Sequence, residues 1–279
     1  VIELPAMSTQ WSTWTDGFDA EMRAASRPES TRKLRRYHLR RLAAEHPGRE
    51  PSDITRADLV EFLGSRPWSA ETRRSYRATY RLFFRWALAV NLIDVDPAAT
   101  LPPITPPRGV PRPAPDDAVR AAMRASGERE QLMVELIADT GIRRFECAKA
   151  RTEHVIPDID GGWSLWVRGK GDRERAVPLP DVLAARIRRM DPGYLFPGQI
   201  DGHLSARRVG ELVAEALPGR WTAHTLRHRY ATLAYQRTGD LRAVQELLGH
   251  AKPETTARYT LVAPPTLRAV ASTVWGSAA

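Results

Sequence analysis

Eight of the 22 prolines in this 279-residue chain fall between Pro97 and Pro115, in the stretch PAATLPPITPPRGVPRPAP. Each proline in a helix interior removes a hydrogen bond and adds a clash, and each in a central strand removes a ladder bond. Neither element crosses this stretch. The chain is therefore expected to form two domains, over 1–96 and 116–279, joined by a semi-rigid extended linker over 97–115. An irregular loop packed on one domain is the other reading of the same residues.

The first domain reads as all helical. Helices are expected over Trp11–Ala25 and Glu29–Glu45, then from a cap at Ser52 or Asp53 to Leu63, then from a cap at Ser69 to about Asn91. Tyr76, Tyr80, Phe83, Ala87 and Val90 recur at four-three-four-three spacing and should form a core stripe. Arg73, Arg77, Arg81 and Arg85 step along the neighbouring face, and Arg32, Lys33, Arg35, Arg36, Arg40 and Arg41 crowd the second helix. Such runs are commonly solvated faces. Two of them in one small basic domain favour contact with a phosphate backbone, with Arg32, Lys33, Arg36, Arg40, Arg73, Arg77 and Arg81 as the DNA-binding candidates.

The second domain mixes patterns. Helices are expected over Asp116–Ala125, Glu128–Asp139 and Arg143–Ala150, followed by three short strands in HVIPDI, WSLWVRG and RERAVPL, the last two joined by a Gly-Lys-Gly-Asp turn. Helices resume from Asp181 through Arg189, Ser205–Ala216, His224–Arg237 and Leu241–Leu248. The fold class expected is mainly α with a small antiparallel sheet.

A net charge of +9 and a pI near 10.2 point to a polyanion as partner, DNA or RNA first. Cys147 is the single cysteine, which excludes a disulfide framework and a cysteine-based metal site and fits a reducing cytoplasm. The apolar run LFFRWALAV is interrupted by Arg85, and VIELPAMSTQ lacks a signal-peptide pattern, so a cytoplasmic protein with no membrane partner is expected.

The chemistry gathers in a few short stretches. His224 and Arg227 are three apart and share a helix face, His250 follows the helix-ending Gly249, and Tyr259 comes shortly after. Cations and donors converging on a tyrosine suit attack on a phosphodiester, in which charge spreads over the non-bridging oxygens. Tyr259 is the nucleophile candidate. Arg143, at a helix start in TGIRRFE, and Arg227 can each clamp phosphate oxygens through a planar fork. His224 is the proton acceptor candidate, with His228 as a near decoy, and His250 can donate to the phosphate.

Lys170 is the acid candidate for the departing 5′-oxygen. Of 42 basic residues only Lys33, Lys149, Lys170 and Lys252 are lysine, and a lysine can release a proton that arginine holds. Glu146, one turn after Arg143, is placed to orient the arginines. No metal or other cofactor is implied, because the His and carboxylate spacings match no zinc pattern and the arginines carry the charge neutralisation.

Together these residues resemble the tyrosine recombinases, the family that includes phage integrases and Xer recombinases. The hallmark of that family is an Arg, a Lys, a His-x-x-Arg, a His or Trp, and a Tyr. It maps onto Arg143, Lys170, His224 with Arg227, His250 and Tyr259, with Glu146 as its auxiliary acidic residue. TGIRRFE, GKGDRERAVPLP, HTLRHRYAT and LLGHAKPETTARYT carry the match. The resemblance covers the second domain strongly, and the first only as a small basic helical domain that binds a core site.

The resemblance implies a C-shaped clamp on duplex DNA at core-type attachment sites, a homotetramer on two DNA sites, and strand exchange through a Holliday junction. It implies a 3′-phosphotyrosyl intermediate and, as the leading role, phage integration. Xer-type chromosome or plasmid resolution is the alternative, ahead of a type IB-like topoisomerase or a non-catalytic DNA-binding regulator. The tail with Leu267, Val270, Val274 and Trp275 would dock on a neighbouring protomer or on its own domain. The length before the linker predicts no arm-binding domain, so directionality would come from an excision factor or a host DNA-bending protein.

Overall fold

The computed structural model describes residues 5–105, 110–169, 173–249 and 256. The chain divides into two units, 1–108 and 109–279.

Among its described residues the first unit has the α-helices α1 (Thr9–Ala24), α2 (Glu29–Glu45), α3 (Arg56–Gly64) and α4 (Ala70–Ala89). Their starts follow the capping chemistry of the sequence. Ser8 Oγ accepts the Trp11 amide, and Ser69 Oγ accepts the Thr72 amide, each at 3.2 Å. The expected cap at Ser52 or Asp53 is replaced. Those residues lie in a 3-10 turn (Pro51–Asp53), and α3 starts at Thr55, which exchanges bonds with Asp58 in a Thr-x-x-Asp box.

The core of this unit is aromatic. Phe83 is fully buried, with Trp11 stacked on it at 6.0 Å between centroids and Phe18 meeting it edge-on at 5.6 Å. Tyr76, Tyr80 and Ala87 are buried as the stripe requires, but Val90 is exposed. The helix has ended at Ala89, and Val90, its C-cap at φ −101° and ψ 15°, has left the helical path on which the stripe's spacing depends.

Buried in the same unit is His38 of α2, whose ring stacks on Tyr76 at 3.8 Å with Nδ1 2.8 Å from Thr79 Oγ1. Burial, and then the neighbouring charge of Arg35, hold its pKa down at about 4. A depressed histidine pKa favours the neutral form in the folded state. Its contribution to stability is thus complete above the unfolded value near 6.5 and is lost as pH falls towards 4. We expect unfolding stability to fall by about 2–3 kcal/mol over that window from this group alone. Urea titrations of wild type and His38→Gln should converge in slope against pH above 6.5 and diverge below it. Parallel curves throughout would remove His38 as the cause.

The proline-rich segment is anchored at its two ends. Ala98 and Leu101 are buried in the first unit's core, where Arg77 Nη2 donates to the Leu101 carbonyl at 2.7 Å. Ala114 is buried in the second unit's core, and its amide donates to Thr225 O at 3.1 Å.

The second unit runs α5 (Asp116–Ala125), α6 (Glu128–Thr140), α7 (Arg144–Ala148), β1 (Val155–Pro157), β2 (Trp163–Arg168), β3 (Glu174–Leu179), α8 (Asp181–Arg188), β4 (Pro197–Ile200), α9 (Ala206–Ala216), α10 (Ala223–Thr238) and α11 (Leu241–Leu248). β1, β2 and β3 form an antiparallel sheet in that order, with Val155 opposite Leu165 and Val167 opposite Arg175. Leu165, Val167, Val177 and Leu179 alternate into the core, as period-two strands demand. The sequence reading missed β4. Pro-Gly-Gln-Ile has no alternation to reveal it, and it forms only bridges to His203 across a turn at Asp201 and Gly202.

α6 is buried along most of its length and packs on α10 and α9. It ends at Gly141, whose φ of 65° is left-handed. α10 likewise ends at Gly239, and Asp240 caps α11 by accepting the Arg242 and Ala243 amides, each at 2.9 Å. This two-residue connection folds α11 back, so that Val244 and Leu248 seat against Tyr230, Ala231, Ala234 and Tyr235 of α10.

Candidate functional site

The C-terminal end of α11 is where two of the candidate residues, Arg143 and Arg227, meet. Gly249 caps it with φ 60°, its amide turned back to Gln245 and Glu246. A helix end leaves its last carbonyls unpaired and carries partial negative charge. Here three guanidinium groups supply the donors. Arg175 Nε donates to Leu247 O at 2.8 Å, Arg227 Nη2 to Leu248 O at 2.6 Å, and Arg143 Nη2 to Gly249 O at 3.1 Å.

Arg227 projects from α10 into the interior and is only 4% exposed. Its Nη1 donates to Gly141 O at 2.5 Å, which ties the end of α6 to the end of α11. Gly141 meets two demands that no other residue satisfies. Its backbone is left-handed, and a Cβ there would collide with the Tyr230 ring and lie 3.0 Å from Leu248 Cδ2.

The sequence places Arg143 inside a helix start, whereas the structure leaves it extended at φ −80°, ψ 153°, with α7 beginning at Arg144. Its amide donates to Glu146 Oε2 at 2.7 Å and its Nη1 to Glu146 Oε1 at 3.1 Å, so this amide is already engaged by a carboxylate of its own chain. The extended conformation lets the side chain turn back towards Gly249 while remaining partly exposed.

Glu146 has a fully buried side chain. It was expected to orient the two candidate arginines, and it does hold Arg143. Its second partner is Arg175 rather than Arg227, in a bidentate pair at 2.9 and 3.0 Å. Burial alone would raise its pKa. The Arg175 hydrogen bonds and charge, followed by the Arg143 amide and charge, outweigh burial and hold the carboxyl below its ordinary value.

Arg175 is a residue the sequence reading did not single out. A signal was present: Arg175 is in phase with Val177 and Leu179, the two inward positions of β3. An arginine on the core-facing side of a strand needs a buried acceptor, and Glu146 is that acceptor.

His224 is exposed on α10 one turn before Arg227, and its ring meets the buried His228 edge-on at 4.2 Å between centroids. Lys170, His250 and Tyr259 lie outside the described residues, as do Leu267, Val270, Val274 and Trp275 of the tail. The structure thus brings Arg143, Glu146 and Arg227 together and adds Arg175. Cys147, beside Glu146, is fully buried, and burial pushes its thiol far up, away from nucleophilic chemistry. Among the described residues, no group of three or more His, Cys, Asp or Glu is arranged to hold a metal ion, and no helix is long and apolar enough to cross a membrane.

The DNA-binding candidates of the first unit separate into two sets. Arg32 pairs with the buried Asp19 at 2.6 Å, Arg73 donates to Arg66 O at 3.3 Å, and Arg77 to Leu101 O, so these three bind the unit together. Their stripes drift around the helices and carry them against neighbouring elements. Arg40 and Arg81 are on the surface, and Lys33 and Arg36 make exposed pairs with Glu29 and Asp16.

Comparison with known proteins gives a consistent picture. Residues 116–264 match the model of the phage integrase family. The chain is 30% identical over 242 residues to the tyrosine recombinase XerC of Neisseria meningitidis serogroup B, covering 78% of this chain and 79% of the relative. Its fold is similar to that of the XerH site-specific recombinase in a post-cleavage complex on a palindromic difH substrate. That likeness has a TM-score of 0.70 at 20% identity, over 96% of this chain and 86% of the other. It is also similar to a lambda integrase tetramer bound to a Holliday junction, with a TM-score of 0.69 at 19% identity, over 88% of this chain and 79% of the other.

Proposed function

The chain belongs to the phage integrase family and is a tyrosine recombinase, and we propose that it cleaves and rejoins duplex DNA through Tyr259. In this reading the Tyr259 phenol oxygen attacks the scissile phosphorus and the bond to the 5′-oxygen breaks. The phenol proton passes to His224, and Lys170 protonates the departing 5′-oxygen. The product is a 3′-phosphotyrosyl bond and a free 5′-hydroxyl. A 5′-hydroxyl from the partner duplex then attacks that phosphotyrosine, so no outside energy source is needed.

The observation that carries this reading is the meeting of Arg143 and Arg227 on adjacent carbonyls at the end of α11, with Glu146 holding Arg143. Fixed guanidinium groups stabilise charge that develops on a phosphate without having to reorganise. The α11 carbonyls and Glu146 hold these arginines in place in the free protein. His250 follows directly after Gly249 and would donate to the same phosphate.

We further propose core-type attachment sites as the DNA, four copies on two sites, and strand exchange through a Holliday junction, as the lambda integrase complex exemplifies for its own chain. Integration of phage DNA is the leading role. Resolution of the Xer type is the second reading, favoured by the 30% identity to XerC over 78% of this chain. Excision factors and DNA-bending proteins are candidate partners in the first role.

The reading is tested with a nicked duplex carrying paired inverted core sequences, on which cleavage becomes irreversible once the short 5′-fragment diffuses away. The protein is expected to become covalently linked to this DNA and to leave plasmids without a core site unrelaxed. Tight binding with no adduct would overturn the recombinase reading, and relaxation without a site would favour a topoisomerase. On the same substrate Lys170→Ala is expected to slow cleavage by about a hundredfold or more. Replacing the 5′-bridging oxygen with sulfur, a leaving group that needs no acid, should restore the rate. A persistent defect on the sulfur substrate would take the acid role from Lys170.

A further inference from the structure

We infer that Arg175 is a positioning residue for strand cleavage, joining β3, the strand that follows Lys170 in the chain, to the helix end that precedes His250 and to the carboxylate that holds Arg143. The inference rests on the recombinase reading above. Nη1 and Nη2 of Arg175 grip Glu146 at 2.9 and 3.0 Å, and Nε reaches Leu247 O at 2.8 Å. Its side chain is 13% exposed, so these bonds form largely out of water, where leaving one unmade is costly.

Both side-chain acceptors of Arg143 lie against this residue. Glu146 Oε1 is shared between Arg143 Nη1 and Arg175 Nη1, and Gly249 O, the other acceptor of Arg143, lies on the turn that Arg175 covers. Gly249 is shaped by that cover. A Cβ at this position would stand 2.9 Å from Arg175 Nη1, 3.1 Å from Cζ and 3.3 Å from Cδ. The glycine immediately before His250 thus gives Arg175 room as well as a left-handed cap. Moving the Arg175 guanidinium shifts Glu146 and the α11 terminus together, and Arg143 with them.

Arginine is required for geometric reasons. Its planar fork makes two parallel bonds to a carboxylate while Nε remains free for a third acceptor. A lysine ammonium keeps the charge beside Glu146 but cannot span Glu146 and Leu247 O with the same geometry. Arg175→Lys should therefore fold and bind DNA yet misplace Arg143.

The test compares wild type, Arg175→Lys and Arg175→Met in single-turnover cleavage of the nicked duplex, with core-site affinity and thermal unfolding measured on the same proteins. We expect Arg175→Lys to bind within about threefold of wild type and to cleave about thirtyfold or more slowly, with Arg175→Met slower still. A second substrate carries a methylphosphonate at the scissile position, where a methyl group replaces one charged oxygen. Less charge then needs neutralising, and the Arg175→Lys deficit should shrink to within about threefold. An equal deficit on both substrates would mark a merely structural role and overturn the inference, as would wild-type cleavage by Arg175→Lys. Should wild type itself bind and form no adduct, the recombinase reading fails first, which separates the two failures.

Discussion

Replacing Tyr259 with phenylalanine is expected to abolish the covalent protein–DNA adduct while leaving core-site affinity within about threefold of wild type. In the proposed reaction the phenol oxygen is the atom that bonds to phosphorus, and removing it leaves no substitute on that side chain, whereas the ring is kept. The tyrosine that the structure does place beside these arginines does not serve. Tyr230 of α10 has its pKa raised by burial, which outweighs the opposing charge of Arg175, and its ring is packed against Gly141. A phenol held protonated in that setting is a poor nucleophile. Denaturing gels of the trapped complex, followed by mass analysis of the DNA-linked peptide, read the outcome. An adduct of wild-type yield in Tyr259→Phe, mapping to another residue, would reassign the nucleophile and require a different geometry for the two arginines.

The candidate set could be proposed from the sequence because the chemistry it implies is open to few residue types. A phosphoryl transfer without a metal needs fixed cations, an acid and a nucleophile, which selects Arg143, Lys170, Arg227 and Tyr259 as candidates, and of these the described residues include the two arginines. Element boundaries were legible for a similar reason: Ser69 and Gly249 mark them through local hydrogen bonds and backbone conformation, which a linear reading captures. What escaped was whatever depends on distant partners. Arg175 is one arginine among many until the sheet turns it towards Glu146. The arginine stripe of α4 looked uniform, yet Arg77 is drawn to Leu101 O by the return of the chain after the helix, while Arg81 remains on the surface. The cap at Thr55 was overlooked because Ser52 and Asp53 offer the same side chains three residues earlier, and only the 3-10 turn there decides between them.

Glu146→Ala is expected to be the most damaging substitution among the described residues of the site. Its fully buried carboxylate accepts four bonds, from the Arg143 amide, Arg143 Nη1, and Nη1 and Nη2 of Arg175. Truncation leaves Arg175, itself mostly buried, facing a void instead of its counter-charge. Breaking a buried pair in this way costs about 3–5 kcal/mol, because the surviving ion is stranded. The N-terminus of α7 loses its cap at the same time. Glu146→Gln separates charge from shape: it keeps the side-chain volume and one acceptor oxygen, so a smaller loss of about 1–3 kcal/mol is expected. The pH dependence distinguishes these variants from a simple packing defect. The carboxyl of Glu146 titrates below its ordinary value in the folded protein. The stability it contributes is therefore complete above the unfolded glutamate pKa and is lost as pH falls through the lower folded value. The gap in unfolding free energy between wild type and Glu146→Gln should be widest at neutral pH and narrow progressively on acidification below about pH 4.5. A gap that stays constant down to pH 3 would mean that the charge on Glu146 does not hold the arginines, and that the junction of α7, β3 and α11 owes its stability to packing instead.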